Sequence, residues 1–324
     1  MTMLVLCDHD RGTLVDASLE ALTFGRDLAT RAGVSCEAVV IGKGAEEAAG
    51  QLAAYGATVV HLASHEVLTD FGPEAWGETL AQLVASSGAS IVTACGTDRG
   101  NEVLAHVAAR LDEPFVANCR EVDPSDDTWS MTRVQWGGSL LEDVTLAAGR
   151  KIVSVAHHAV EAAPASEPAV GTVTAFSPDL DATFARTVVT DRVVLSRGIT
   201  LATAPVVVGG GRGVGSAEAF APLEELAAEL GGVVGCSRAV TNNGWRPHSD
   251  QVGQTGTRIA PQVYIASGIS GAIQHWVGAM ASKHILAINT DREANIVVRA
   301  DWAVIGDLHK VIPAITEEVR RRRS

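Results

Sequence analysis

Residues 251–289 read QVGQTGTRIAPQVYIASGISGAIQHWVGAMASKHILAIN, and this stretch decides the fold. Val263-Tyr264-Ile265-Ala266 is a short apolar run with two β-branched residues, set between the turn at Pro261 and a glycine, which predicts a buried strand. Gly268-Ile269-Ser270-Gly271 follows as a tight turn. A helix is predicted from Ala272 to Ala281, and Ile285-Leu286-Ala287-Ile288 forms a second strand ending at Asn289. Strand, glycine turn, helix and strand make a βαβ unit. Its first turn aims bare backbone N–H groups and a helix N-terminus at one point, which suits a pyrophosphate. Upstream, Gly253 and Gly256 punctuate a second polar turn, Val252-Gly253-Gln254-Thr255.

Two plainer readings compete. The glycines at 268 and 271 can serve only a tight turn. Alternatively, Ser270 can be a hydrolase nucleophile, but that elbow needs G-x-S-x-G and position 272 is Ala272, so the match fails. His275, five residues after Ser270, reads by itself as a structural or solvent-facing histidine.

The letters carry more than the spacing. Gly268-Ile269-Ser270-Gly271-Ala272-Ile273-Gln274-His275, with Gly278 and Ala287-Ile288-Asn289 downstream, closely resembles the signature of the electron transfer flavoprotein alpha subunit. The resemblance runs back through Gln251–Gly256 and Ser237-Arg238-Ala239 to Gly210-Gly211-Arg212-Gly213, and forward to Asp301 and Asp307-Leu308. It is strong over residues 205–319 and weak before them. Departures are modest: Gly209 stands where serine is common, Thr290 where lysine is frequent, and Trp245 and Trp302 where tyrosine is frequent. Thr290 puts one phosphate or ribose contact in doubt.

Composition sets the outer bounds. The 324 residues suffice for two domains, and 47% hydrophobic against 19% charged residues predicts a folded core. A net charge of −13 disfavours nucleic acid and anionic membranes as partners. No apolar run approaches the roughly 20 residues of a membrane span. The chain enters a strand-like run at Met3 without a signal-type leader, and Cys7, Cys36, Cys95, Cys119 and Cys236 are scattered without a C-x-x-C pair. They read as reduced core thiols, and the expected location is a bacterial cytoplasm.

Along the first part, strands are predicted at Met3–Leu6, Ala38–Ile41, Thr58–Leu62 and Ser90–Ala94, alternating with helices around Leu19–Ala29, Ala45–Tyr55 and Glu74–Ser86. That alternation predicts an α/β fold with a mainly parallel, doubly wound sheet. Asp8-His9-Asp10 reads as a polar turn, and Gly96–Asn101 as a structural or vestigial ligand loop. Past Pro114 only Met131–Gln135 and Ile152–Ala156 read as strands. His157-His158 are adjacent, so on a strand they would face opposite ways, and no metal site is expected. Family members often carry Arg-Pro-Gly near here. Residues 161–180 look like a domain end, and Arg186–Ala204 a β-rich linker. The expected layout is therefore a first domain over residues 1–190, a linker over 191–204, a cofactor domain over 205–319, and a solvated basic tail over 320–324.

Pro205–Val208 opens the second domain, and Gly209–Gly213 leads to a helix after Ser216 with Phe220, Leu223, Leu226, Ala227 and Leu230 at helical spacing. The loop is neither G-x-G-x-x-G nor a Walker loop, but Arg212 adds a cation able to fork onto phosphate oxygens. Strands are expected near 206, 233, 264, 286 and 303, giving a five-stranded Rossmann- or flavodoxin-like sheet.

The resemblance implies an FAD in this second domain and a beta-subunit partner. It implies electron flow from acyl-CoA dehydrogenases or similar flavin dehydrogenases, as in fatty acid β-oxidation, to a quinone-linked acceptor at the membrane. It assigns to FAD Arg212, Ser237, Arg238, Val252, Gly253, Gln254, Thr255, Ser270, Gly271, Ala272, Ile273, Gln274, His275, Asn289, Asp307 and Leu308. Among these, Arg238, Thr255 and His275 would tune the flavin and stabilise an anionic semiquinone, with the imidazolium of His275 favoured beside the anion. Ser270 and the glycine turn suit the pyrophosphate, and Asn289 and Asp307 the adenosine side. A carrier of this kind needs no catalytic nucleophile or acid–base pair. The alternatives are an electron-bifurcating complex and a nucleotide-binding protein without redox chemistry. Arg238, Thr255 and His275 together argue against the second.

Overall fold

A strand whose residues alternate between two hydrophobic layers must lie inside a sheet covered on both faces, and the first strand shows this directly. In a computed structural model describing residues 1–166, 171–190 and 199–323, β1 (Thr2–Leu6) sends Met3 and Val5 into one core and Leu4 and Leu6 into another. The first core is closed by α1 (Asp16–Ala32) and α2 (Ala45–Leu52), the second by α3 (Pro73–Ser87) and α4 (Asp98–Leu111). A two-residue hairpin, β2 (His9–Asp10) and β3 (Thr13–Leu14), precedes α1. The remaining strands of this unit are β4 (Ser35–Ile41), β5 (Val59–Ala63), β6 (Ile91–Cys95), β7 (Phe115–Asp123), β8 (Thr128–Gln135), β9 (Leu140–Ala147), β10 (Lys151–Val155) and β11 (Thr172–Phe176). Their order is β11-β5-β4-β1-β6-β10-β7-β8-β9. All pairs are parallel except β7–β8 and β8–β9. Lys151 is buried, and this stays tolerable because its ammonium donates to the carbonyls of Asp127 (2.7 Å), Leu146 (3.2 Å) and Ala148 (2.7 Å).

The second sheet contains β12 (Val206–Gly210), β13 (Val233–Cys236), β14 (Val263–Ser267), β15 (Ile285–Asn289) and β16 (Trp302–Ile305), all parallel, in the order β13-β12-β14-β15-β16. This is the flavodoxin-like order, with the switch point at β12. One face packs α5 (Ala221–Glu229) and α9 (Leu308–Arg323) through Leu223, Leu226 and Ile312. The other packs α7 (Ile273–Ala279) and α8 (Asn295–Arg299) through Ala279 and Ile296. The short α6 (Arg238–Asn242) starts directly after β13. By contact, the chain divides into Met1–Gln135 with Leu140–Val193 and Trp136–Ser139 with Val194–Ser324.

Four expectations need correction. Past Pro114 the two expected strands are present as β8 and β10, but β7 and β9 were not foreseen, and β7 to β9 form an antiparallel extension. The Ala- and Pro-rich stretch before residue 180 contains β11, which pairs in parallel with the edge strand β5. Its residues are mostly exposed, so no hydrophobic pattern announces it. The basic end is exposed, as expected, but is no separate tail: α9 continues through Arg323, with Arg320 bonded to Glu229 (2.6 Å) and Glu225 (2.7 Å). His157 and His158 lie beyond the end of β10 rather than on it. His158 takes φ of 62°, and the two rings stack with centroids 3.7 Å apart instead of facing opposite ways. Residues 191–198 of the expected linker lie outside the described residues.

Candidate cofactor site

The C-terminal ends of the second unit's strands carry the polar residues, because each strand there hands over to a loop rather than to core. The loop after β12 and the turn after β14 are fastened to each other: Gly211 N–H donates to Ser267 O (2.9 Å) and Gly213 N–H to Gly268 O (3.0 Å). A Cβ at Gly211 would stand 2.1 Å from Gly268 O, so this approach requires glycine. Gly271 has φ of 74°, and a Cβ there would meet Ile296 N at 2.3 Å. Asn289 donates its amide to Ile269 O (2.8 Å) and accepts from Asp291 N–H (3.1 Å), fixing both the glycine turn and its own loop.

A cleft of about 650 Å³ opens at this edge. It brings together four expected residues, Arg212, Ser237, Ser270 and Asn289, with Gly213 and Gly268 from the same motifs. It also includes Ala239, Asp291, Glu293, Ala294 and Asn295, which the sequence reading missed. The available signal was their position just past a strand end, where an open α/β sheet binds ligands. Arg212 is exposed and enters no ion pair among the described residues, so its guanidinium is available to an anion.

A second group lies between α6, α7 and the turn at 252–255. Val252 N–H donates to Cys236 O (2.9 Å) and Gln254 N–H to Gln274 O (2.7 Å), which seats the turn on the start of α7. Gly253 and Gly278 meet so closely that a Cβ on Gly278 would lie 2.4 Å from Gly253 Cα. Thr255 is held by a residue not singled out in advance. Gln251 is 2% exposed. It accepts from Thr241 Oγ1 (2.7 Å) and donates its amide to Thr255 Oγ1 (2.9 Å), which leaves the Thr255 proton free to donate outward. Arg238 is exposed at the start of α6 without an ion pair among the described residues.

The remaining expected residues are not cleft-lining. Asp307 Oδ1 accepts His309 N–H (3.0 Å), capping α9. Leu308 is 6% exposed and belongs to the core with Ile312. Gly271, Ala272, Ile273 and Gln274 form the turn and the first residues of α7 rather than the cleft wall.

His275 differs most from expectation. Its ring is 7% exposed and its Nε2 lies 2.8 Å from the hydroxyl of Tyr264, itself fully buried. Burial pushes the imidazole down to about 4, so the neutral form is favoured in the chain by itself, and an imidazolium would need the charge of a flavin anion beside it.

Two features fit the site to a bound dinucleotide. Ser267 Oγ, at the end of β14 where the glycine turn begins, is a buried polar atom with no hydrogen-bond partner among the described residues, and such an atom carries a penalty that a polar ligand within reach would relieve. The N–H groups of Gly211, Gly213 and Gly268 are spent on the carbonyls of Ser267, Gly268 and Ile288, but those of Ile269, Ser270 and Gly271 meet no acceptor among the described residues, a donor set near Arg212 of the kind a pyrophosphate takes.

The corresponding edge of the first unit is closed. Arg99 pairs with Asp8 (3.4 Å) and lies 4.6 Å over the Phe71 ring, leaving about 10 Å³, roughly one water.

The fold and cleft thus define the second unit as a nucleotide-cofactor domain of flavodoxin-like topology. Residues 200–280 match the family model for the electron transfer flavoprotein FAD-binding domain, and residues 3–181 the electron transfer flavoprotein domain. The chain is 35% identical over 322 residues to the electron transfer flavoprotein subunit alpha of Clostridium acetobutylicum, covering 98% of this chain and 96% of that one. It is 32% identical over 320 residues to that of Thermoanaerobacterium thermosaccharolyticum, covering 98% and 97%. It is 35% identical over 339 residues to Protein FixB of Bradyrhizobium diazoefficiens, covering 98% and 88%. The chain belongs to the electron transfer flavoprotein alpha subunit family, and its cofactor is FAD.

Proposed function

We propose that this chain is the FAD-holding subunit of a two-subunit electron carrier. It works in a bacterial cytoplasm with a beta-type partner, takes electrons from acyl-CoA dehydrogenases or related flavin dehydrogenases, and delivers them to a quinone-linked acceptor. The observation that carries this reading is the pairing, at one sheet edge, of an anion cradle with separate polar groups suited to a redox ring. The FAD-binding domain is taken as residues 205–319.

Within it, Arg212, Ser237, Ser270 and the N–H groups around Gly268 and Gly271 hold the pyrophosphate. Asn289, Asp291 and Glu293 offer acceptors to the hydroxyl-rich adenosine side. Thr255, with its proton directed outward by Gln251, donates to the ring, and Arg238 sets a positive potential beside it. His275, buried and paired with Tyr264, is neutral in the chain by itself and holds the start of α7 beside the ring. The FAD supplies the electron-accepting chemistry. The protein's part is to bind, orient and set the potential, so the chain is a carrier and not an enzyme.

The test is a coupled assay. The chain co-purified with its beta-type partner is mixed with an acyl-CoA dehydrogenase and its acyl-CoA under anaerobic conditions. Bleaching of the carrier's flavin band only when all components are present supports the reading. A flavin band that persists with every candidate flavin dehydrogenase of the same cell contradicts it.

A further inference from the structure

The turn after β10 brings two histidines to a buried carboxylate. β10 ends at Val155, and the chain closes a turn in which Ala159 N–H donates to Ala156 O (3.0 Å). His158 sits in the left-handed region at φ 62°, a conformation that non-glycine residues adopt at a cost and that often marks a functional position. That conformation turns the side chains of His157 and His158 to the same side. Facing them is Glu20, from the second turn of α1, whose side chain is 9% exposed. One carboxylate oxygen, Oε2, accepts the backbone N–H of His158 (2.8 Å), and the other, Oε1, lies 3.0 Å from His158 Nδ1. One ligand atom from each of the three residues falls within 4.8 Å of the other two.

We propose that Glu20, His157 and His158 bind a divalent transition-metal cation of the zinc type, clamping α1 to the end of β10. Glu20 and His158 form a histidine–glutamate pair, and the His157 ring stacks on His158 with a ligand atom within 4.8 Å of those of the other two. The separation already suits an ion: ligands about 2.0–2.1 Å from zinc lie roughly 3.0–3.4 Å from one another, and Oε1 and Nδ1 are 3.0 Å apart. The cation takes the place of the proton between these two atoms, and the neutral imidazole keeps that proton by moving it to Nε2. The Oε2 bond to the His158 amide orients the carboxylate as outer hydrogen bonds orient metal ligands. His157 reaches the ion by turning about its Cβ–Cγ bond, since stacked rings point their lone pairs side by side. Two imidazoles and one carboxylate select zinc, cobalt or nickel over magnesium or calcium. Both histidines are partly exposed, so water completes the coordination.

The test uses the untagged full chain, stripped with EDTA and freed of chelator. Zinc chloride is titrated by calorimetry, and cobalt chloride is followed by its visible ligand-field bands. One zinc per chain is expected, with a Kd on the order of 1 µM or tighter, a nitrogen–oxygen type cobalt spectrum, and a zinc-dependent rise in melting temperature. Glu20→Gln, His157→Asn and His158→Asn should each weaken zinc at least about tenfold. The asparagine at 158 tolerates the left-handed backbone. Should Glu20→Gln fail to fold, the partly exposed His157→Asn carries the comparison, and its melt in EDTA should match that of the parent chain. The proposal is overturned by no zinc uptake at this affinity, by unchanged affinity in His157→Asn, or by a thiolate-type cobalt spectrum, which would place the ion at the cysteines.

Discussion

Acidification should cost this protein stability through one buried imidazole. His275 lies against Tyr264 in the core of the second unit, and burial lowers its pKa from 6.5 to about 4. In the unfolded chain the same group takes up a proton near 6.5. The unfolded state therefore binds more protons than the folded state between these values, and stability falls as pH falls through that window. Above 6.5 the contribution is fully present. A difference of roughly 2.5 units at about 1.36 kcal/mol each gives about 3 kcal/mol lost by pH 4. Other groups titrate too, so the measurement is a difference: urea unfolding of the chain and of His275→Gln at pH 7, 6, 5 and 4.5. The stability gap between the two should narrow or reverse with acid. In parallel, ¹⁵N-imidazole spectra of the folded chain should show His275 neutral at pH 5.5. A resonance titrating near 6.5, or unfolding curves that shift in parallel for both proteins, would refute the burial argument.

The remaining predictions concern the cleft. Arg212→Ala should weaken FAD binding by roughly 1–3 kcal/mol, the usual worth of a charged hydrogen bond. An unchanged affinity in a titration of flavin-free protein would remove Arg212 from the site. Gly271→Ala should destabilise the second unit by roughly 2–4 kcal/mol, from a left-handed backbone and a Cβ driven against the start of α8. Denaturant midpoints equal to the parent's would show that the turn relaxes freely. Thr255→Val should shift the flavin midpoint potential, and Gln251→Leu should shift it the same way but less, because it only frees the threonine hydroxyl to reorient. A redox titration in which Gln251→Leu behaves like the parent would break that link.

Much of this architecture was legible because its determinants are local. The strands near 206, 233, 264, 286 and 303 announce themselves as apolar runs ended by glycine or a polar residue, and all five are present. The two glycine loops were legible for the same reason, since Gly211, Gly213, Gly268 and Gly271 sit at strand ends where only glycine fits. What escaped was non-local. β11 is held by backbone pairing to β5 with almost no buried side chain, so its composition reads as a loop. The placement of Gln251 between Thr241 and Thr255 needs the folded turn before its hydrogen bonds can be counted. The charge state of His275 depends on burial against a residue eleven positions away, and the meeting of His157 and His158 with Glu20 spans most of the first unit. Spacing carries no signal for either.

The central claim is that this chain's second unit holds FAD as part of a two-subunit carrier. The most direct measurement is the flavin content of the chain co-expressed with its beta-type partner and purified as a complex. Nucleotide released by denaturation would be identified by chromatography and counted against protein. The account predicts FAD at one molecule per alpha chain, with the bound fraction falling in Arg212→Ala. A stable complex that releases no flavin, or retains its FAD in full when Arg212 and Ser270 are both replaced by alanine, would contradict it.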